Sequence, residues 1–254
     1  MDLASIVKTQ VQFARLGQSA QSGSASSASQ LLAPANKRLS QQLESTSVQL
    51  SAYGQISSAF GSAKTAATSL ADTAASKTAS NGDVVKAAQT FVNTYNQATQ
   101  AVSSAVSGAD SKAGALASDV RAKMAGNDLA RSLTSGSGLA DLKQAGITRD
   151  KNGTLTLDTK ALEQSLQSAS AETKSALTRL GQQVGASTGR ELASGGNVGG
   201  SINALTNRSQ SLTAQQTTLQ QQATAVEGLL EQQSNVLNYA TATSLASYQK
   251  LLSG

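Results

Sequence analysis

The chain of 254 residues has no Cys, no His, no Trp and a single Pro, and its aromatic side chains number three Phe and four Tyr. Without Cys there is no disulfide, no thiolate nucleophile and no soft metal ligand, and without His the commonest general base and imidazole ligand are gone as well. A Cys-free chain leaves its redox compartment open, because it suits the cytosol and equally suits export without oxidative folding. Scarce rings remove the bulky groups that normally fill a compact core. Packing therefore falls to Ala, Leu and Val, which favours long helical layers. Charge is also sparse: 20 basic residues against 15 acidic ones give a net +5, scattered without the Lys/Arg run of a nucleic-acid patch. No nucleic-acid partner is expected. No segment reaches the ~18 uninterrupted apolar residues of a membrane span. The stretch Met1-Asp2-Leu3-Ala4-Ser5-Ile6-Val7-Lys8 carries an acid where a cleavable signal needs a basic start. Both a cytosolic chain and one exported without signal cleavage fit.

Motifs that carry chemistry are few. There is no Walker loop and no strand-linked G-x-G-x-x-G, and Gly195 to Gly200 lacks a preceding strand to position phosphate-binding amides. Asp150-Lys151-Asn152-Gly153-Thr154 superficially suggests a calcium loop, yet Leu155 stands where an EF-hand needs Gly and Ala161 where it needs a bidentate Glu. Glu227 and Glu231, one helical turn apart, are spaced like any solvated helix face. An enzyme would need one nameable carboxylate, and none stands out. Catalytic residues, cofactors and metals are therefore all assigned as none. Phe91 and Tyr95, at i and i+4 on an apolar stripe, read as core.

Periodicity organises the remainder. Residues 1–33 read as a flexible arm, since Gly17 to Ser29 is almost wholly Gly, Ser, Ala and Gln; its first half keeps Leu3, Ile6, Val7, Val11 and Phe13, which a partner surface could order. Pro34 marks the start of a helix, in which Leu39, Leu43, Thr46, Leu50, Tyr53, Ser57 and Phe60 follow a 4-3 spacing. A second helix follows Asn81-Gly82-Asp83, with Asp83 as N-cap and a stripe through Val84, Ala88, Phe91, Tyr95 and Val102. A third is expected from Lys112 to about Leu133. Residues 147–158 alternate around Asn152-Gly153 and read as a β-hairpin. Asp158 then caps a helix through Leu162 and Leu166, and a weaker helix covers Ala171 to Leu180. Residues 186–200 read as a Gly-rich linker. The C-terminal segment 201–254 repeats every seven residues: Ile202, Ser209, Gln216, Ala223, Leu230 and Leu237 in one series, Leu205, Leu212, Leu219 and Val226 in the other. Gln216 and Ser209 place polar groups on that seam, which suits a wet bundle or assembly with partners.

Four ordered segments resemble the bacterial flagellar hook-associated protein 2 family, the filament cap. Gln49-Leu50-Ser51-Ala52-Tyr53-Gly54 is similar to that family's first long helix with its L-S-A-Y-G. Phe91-Val92-Asn93-Thr94-Tyr95-Asn96 is similar to its F-V-x-x-Y-N helix. Gly146-Ile147-Thr148-Arg149-Asp150-Lys151-Asn152-Gly153-Thr154-Leu155-Thr156-Leu157-Asp158 is similar to its G-I-T-x-D-x-x-G-x-L-x-L-D, and the heptad helix follows.

The resemblance implies a mainly α fold: an antiparallel coiled-coil leg from 34–75 and 201–254, and a helical domain at 83–185 with its hairpin. Leu39, Leu43, Leu50 and Phe60 would pack on Leu205, Leu212, Leu219, Val226, Leu230 and Leu237. It also implies a non-enzymatic structural protein of the flagellum, exported through the type III channel without a cleaved signal peptide and extracellular. As a homo-oligomer it would help flagellin assemble at the filament tip or hook–filament junction, with flagellin and other hook-associated proteins as partners. The family usually carries a β-rich insertion between the first helix and F-V-x-x-Y-N; here only Thr73 to Gly82 joins them, so this is a short form lacking the outer domains. The rival expectation is a helical partner-binding protein, either a chaperone or a type III secreted translocator. A flagellin-like filament subunit is a third.

Overall fold

The computed structural model describes residues 28–108 and 113–252. In order, the elements are α1 (Ala28–Ala75), α2 (Asn81–Ser107), α3 (Val120–Ser132), α4 (Gly138–Gln144), β1 (Ile147–Arg149), β2 (Leu155–Leu157), α5 (Thr159–Ser168), α6 (Ser170–Leu192) and α7 (Asn197–Leu252). Among the described residues the fold is mainly α-helical, with α1 and α7 long and one small antiparallel sheet, in which Ile147 faces Leu157, Thr148 faces Thr156 and Arg149 faces Leu155. The chain divides into two compact units, one of residues 42–211 and one of the described residues 28–41 with 212–252.

In the larger unit, α6 is the central helix, touching α2, α3, α4 and α5. It also meets α1 at very short range. A Cβ on Gly181 would lie 2.3 Å from the Ala67 carbonyl oxygen and 3.0 Å from the Ala71 Cβ, and one on Gly185 would sit 3.3 Å from the Thr68 hydroxyl. Gly181, Gly185 and Gly189 recur every four residues, so they share one face of α6, and that face lies against the Lys64–Ala71 stretch of α1. Ala63, Ala67, Leu70 and Ala74 of α1 are buried with Phe91, Leu177, Leu180 and Val184 in one core cluster. Small residues let two backbones approach until dispersion contacts replace the missing rings.

Several boundaries differ from the sequence expectation. Residues 186–200 are no flexible linker: α6 runs through Leu192, α7 begins at Asn197, and only four residues turn between them. The turn is tight, with Gly196 N–H on Ala193 O at 2.8 Å, and a Cβ on Gly196 would stand 2.1 Å from Arg190 O. Pro34 lies inside α1 on its exposed side, where water can satisfy the carbonyl left without a donor. The N-cap of α2 is Ser80, and Asp83 is its reciprocal partner in a capping box. The third helix starts at Val120 because Asp119 accepts from Arg121 N–H and Ala122 N–H, while Leu116 N–H folds back onto Ala105 O of α2. The larger unit also takes in α1 from Gln42 and α7 up to Ser211, a different division from a leg at 34–75 and 201–254. Of the expected arm at 1–33, residues 28–33 are helical and the first 27 lie outside the described residues.

Gly181→Ala should lower the urea unfolding midpoint by the equivalent of about 1–3 kcal/mol, since the new methyl must displace backbone. Gly54→Ala, where nothing lies within 4 Å, should raise stability by up to about 1 kcal/mol through helix propensity alone. Equal responses would contradict the close α1–α6 crossing.

Candidate functional site

The hairpin and the helix that carries Asn96 form one built unit. Phe91 and Tyr95 turn the apolar face of α2 inward, their ring centroids 6.2 Å apart and tilted at 45°. Burial pushes the Tyr95 phenol up to about 12. The next residue, Asn96, reaches the hairpin. Its Nδ2 donates to Leu155 O at 2.8 Å and its Oδ1 accepts from Leu155 N–H at 2.8 Å. The carboxamide thus pairs with one peptide of β2 as a neighbouring strand would, satisfying an edge that a two-stranded sheet leaves open.

The loop from Asp150 to Thr154 is organised by a carboxylate. Asp150 Oδ1 accepts from Asn152 N–H at 2.9 Å and from Thr154 N–H at 2.8 Å, and Gly153 takes φ 87° beneath the Arg149 guanidinium. The loop is therefore longer than a two-residue Asn-Gly turn. At the base, Gly146 takes φ 66° and its carbonyl accepts from Asp158 N–H at 2.9 Å, while Asp158 Oδ1 caps α5 through Ala161 N–H. A Cβ on Gly146 would crowd Asp158 O and Leu162 N. Every polar position of the G-I-T-x-D-x-x-G-x-L-x-L-D stretch that bends backbone has a local structural duty.

An ion pair ties α4 to α6. Arg179 donates Nε to Asp141 Oδ2 at 3.0 Å and Nη2 to Asp141 Oδ1, and Ser137 Oγ adds a bond at 2.6 Å. The Arg179 guanidinium, helped by Ser137 and outweighing desolvation, holds the buried Asp141 carboxyl below the ordinary aspartate value. The connection between α1 and α2 is equally fixed. Ser76 Oγ accepts from Thr78 N–H and Ala79 N–H, Lys174 Nζ donates to Ala79 O, and Asn81 Nδ2 donates to Leu166 O. The Ser80 bonds hold the Asp83 carboxyl below its ordinary value.

The smaller unit joins the start of α1 to the far part of α7. Leu39 is 3% exposed and Leu212 5%, and between the helices Gln216 Nε2 donates to Asn36 Oδ1 at 3.1 Å and to Ser40 Oγ at 3.3 Å. The polar seam position noted in the heptads is thus matched by polar partners. Leu219, Val226 and Leu230 are half-buried along the same helix, and the Leu237 side chain lies outside the described residues. In the larger unit Leu43 and Leu50 are half-buried, Phe60 is fully buried in the core cluster, and Leu205 packs against that cluster. Phe60 therefore serves the core beside Tyr53 and Ile56. Among the described residues no three acidic side chains gather as a metal site, and no helix is long and apolar enough to cross a membrane.

The family model for the flagellar hook-associated protein 2 C-terminus matches residues 63–244. The chain belongs to the flagellar hook-associated protein 2 family. No curated protein and no solved structure matches the chain. The family match starts within α1 and runs through the hairpin into α7, so it contains both motifs joined by Asn96 and Leu155. As a member of the hook-associated protein 2 family, the chain has a cap-like structural role in the bacterial flagellum. Between α1 and α2 the chain makes a closed, capped turn at Ser76–Ser80.

The sequence reading missed the Asn96 clamp, the Asp141–Arg179 pair and the glycine face of α6. Only the last had a signal, the four-residue recurrence of Gly181, Gly185 and Gly189.

Asn96→Asp should keep an acceptor for Leu155 N–H but set a carboxylate against Leu155 O. We expect a loss of about 1–3 kcal/mol and faster amide exchange across β1 and β2 than in α7; unchanged exchange would remove the clamp. Because Asp141 is depressed in the folded chain, its contribution is complete above the unfolded value near ~3.9 and fades as pH falls through the folded value. Asp141→Asn should therefore be destabilised at pH 7 and should flatten the loss of stability between pH 5 and pH 2; an acid limb as steep as that of the parent chain would exclude Asp141 as its source.

Proposed function

We propose that this chain is a non-catalytic structural subunit of the flagellar tip or hook–filament junction that helps flagellin subunits assemble. The observation that carries this reading is the pairing of the two chain ends in the smaller unit, where Leu39, Leu212 and the Gln216 bonds join α1 to α7. Two helices paired through a buried leucine and matched polar groups suit a stalk that packs among neighbouring subunits. The stalk also offers a face for neighbours. Leu229, Val236 and Tyr239 are exposed on α7, Tyr239 to 75%, and apolar residues grouped on one helix suit contact with another subunit. Homo-oligomerisation, and contacts with flagellin and other hook-associated proteins, belong to this proposal. So do the pairing of Leu43 and Leu50 with α7, passage through the type III export channel without signal cleavage, and an extracellular location.

Deleting the gene in its own host should shorten or abolish filaments and release monomeric flagellin into the medium. A chain carrying Leu212→Asp and Leu219→Asp should be exported yet fail to restore filaments, because each Leu contributes roughly 1.5–3 kcal/mol when buried. Normal filaments in the deletion strain would sink the capping role.

A further inference from the structure

A groove of about 530 Å3 runs between α3 and α6 in the larger unit, on the side away from the Gly181 face. Several of its polar atoms are hydrogen-bond acceptors left without a donor or with their own hydrogen already given away. Glu191 is 6% exposed; its Oε1 accepts from Asn197 Nδ2 at 3.3 Å, while its Oε2 meets no N–H or O–H donor and the carboxyl group stands within hydrogen-bond reach of the acidic side chain of Asp128. Gln183 Oε1, two turns along α6, is buried and lacks a donor as well. The serine hydroxyls that line the groove give their hydrogens to helix carbonyls: Ser132 to Leu129 O at 2.6 Å, Ser135 to Arg131 O at 2.7 Å, Ser187 to Asp128 O at 3.2 Å. Only their lone pairs are left to face a visitor. Two arginines stand at the rim, both exposed, with Arg131 Nη1 3.7 Å from Asp128 Oδ1.

A carboxylate kept out of water needs a charged donor or a proton. The serine lone pairs and Gln183 Oε1 call for N–H or O–H groups as well. Lysine and arginine side chains are the natural ligands that carry several donors and no acceptor. We propose that this groove binds a basic side chain of a protein partner, an ammonium or guanidinium, with Glu191 as the buried counter-ion and Ser187 as a further acceptor. Gln183 takes another donor of the same partner segment. In the free chain, burial first and the neighbouring Asp128 second push the Glu191 carboxyl above its ordinary value. A bound cation opposes both effects. The charged groups around Glu191 are Asp128 and Arg131 on α3 and Arg190 on α6, and α7 presents Asn197. This chemistry is independent of any flagellar role.

The test is a carboxyl NMR titration of the full chain, labelled at Glu, in ethylguanidinium chloride and in tetramethylammonium chloride at equal ionic strength. Ethylguanidinium should lower the apparent pKa of Glu191 saturably by about one to three units. Tetramethylammonium has the same charge but no N–H, and should leave it unchanged. Glu191→Gln should abolish the accompanying amide shifts at Ser187 and Asn197. Equal effects of the two cations would reduce the site to charge screening and overturn the proposal. So would a response that appears only after Arg131→Ala, because the groove would then be served by the chain's own arginine.

Discussion

The absence of a side chain at Gly181 sets the distance between α1 and α6. With the Ala67 carbonyl 2.3 Å from where a Cβ would stand, the two helices cross at a separation that any larger residue would widen. The core depends on that separation. Three Phe and four Tyr cannot fill the space between helices held at ordinary spacing, so Ala63, Ala67, Leu70 and Ala74 bury themselves by proximity to α6. Dispersion falls steeply with distance, so a core built on alanine tolerates little slack. The other contacts of α6, to α3 through Ser187 and to α4 through Arg179, are made from a helix already fixed in place.

A second dependence links two motifs far apart in the chain. Asn96 completes the edge of a sheet too small to stand alone, since an isolated two-stranded hairpin is marginal in water. Its bonds join the F-V-x-x-Y-N helix to the L-x-L strand, so these two signatures are halves of one device. Phe91 and Tyr95 hold α2 in the core cluster that also contains Leu155, and Asn96 bonds the Leu155 peptide. The Gly146 and Asp150 turns then aim the chain into α5 with its Asp158 cap. Each of these polar groups is used to hold backbone in place.

The larger and smaller units use different physics. The larger one rests on buried small apolar residues and a few buried polar pairs. In the smaller one the Gln216 bonds to Asn36 and Ser40 stand beside the buried Leu39 and Leu212, while Leu229, Val236 and Tyr239 remain exposed. A helix with that mixture gains further stability by mass action when neighbours cover it.

Much was legible from residues alone. The helical class, the hairpin at 147–158, the Asp158 cap and the burial of Phe91 and Tyr95 all follow from spacing of three, four or two, or from a side chain reaching an adjacent N–H. These are local determinants, decided within a turn or two of the chain. The family was legible too, because its motifs keep their order. Gly189 was read as part of a flexible linker, yet it lies on the α6 face against Lys64, since a glycine that frees the backbone and one that admits a neighbouring helix look the same in sequence. Phe60 fits a heptad seam, yet is fully buried in the core cluster of the larger unit. Asp83 looked like a cap, but Ser80 sits three residues ahead of it and takes that place. The Asn96 clamp, the Asp141–Arg179 pair and the acceptor-lined groove at Glu191 were beyond reach. Each joins groups separated by tens of residues, and only the packing of α6 against its neighbours brings them within hydrogen-bond distance. The sequence by itself determined the helices, the turns and the family; tertiary structure decided which small residues touch and which polar groups meet, because those depend on distances between helices that no local pattern encodes.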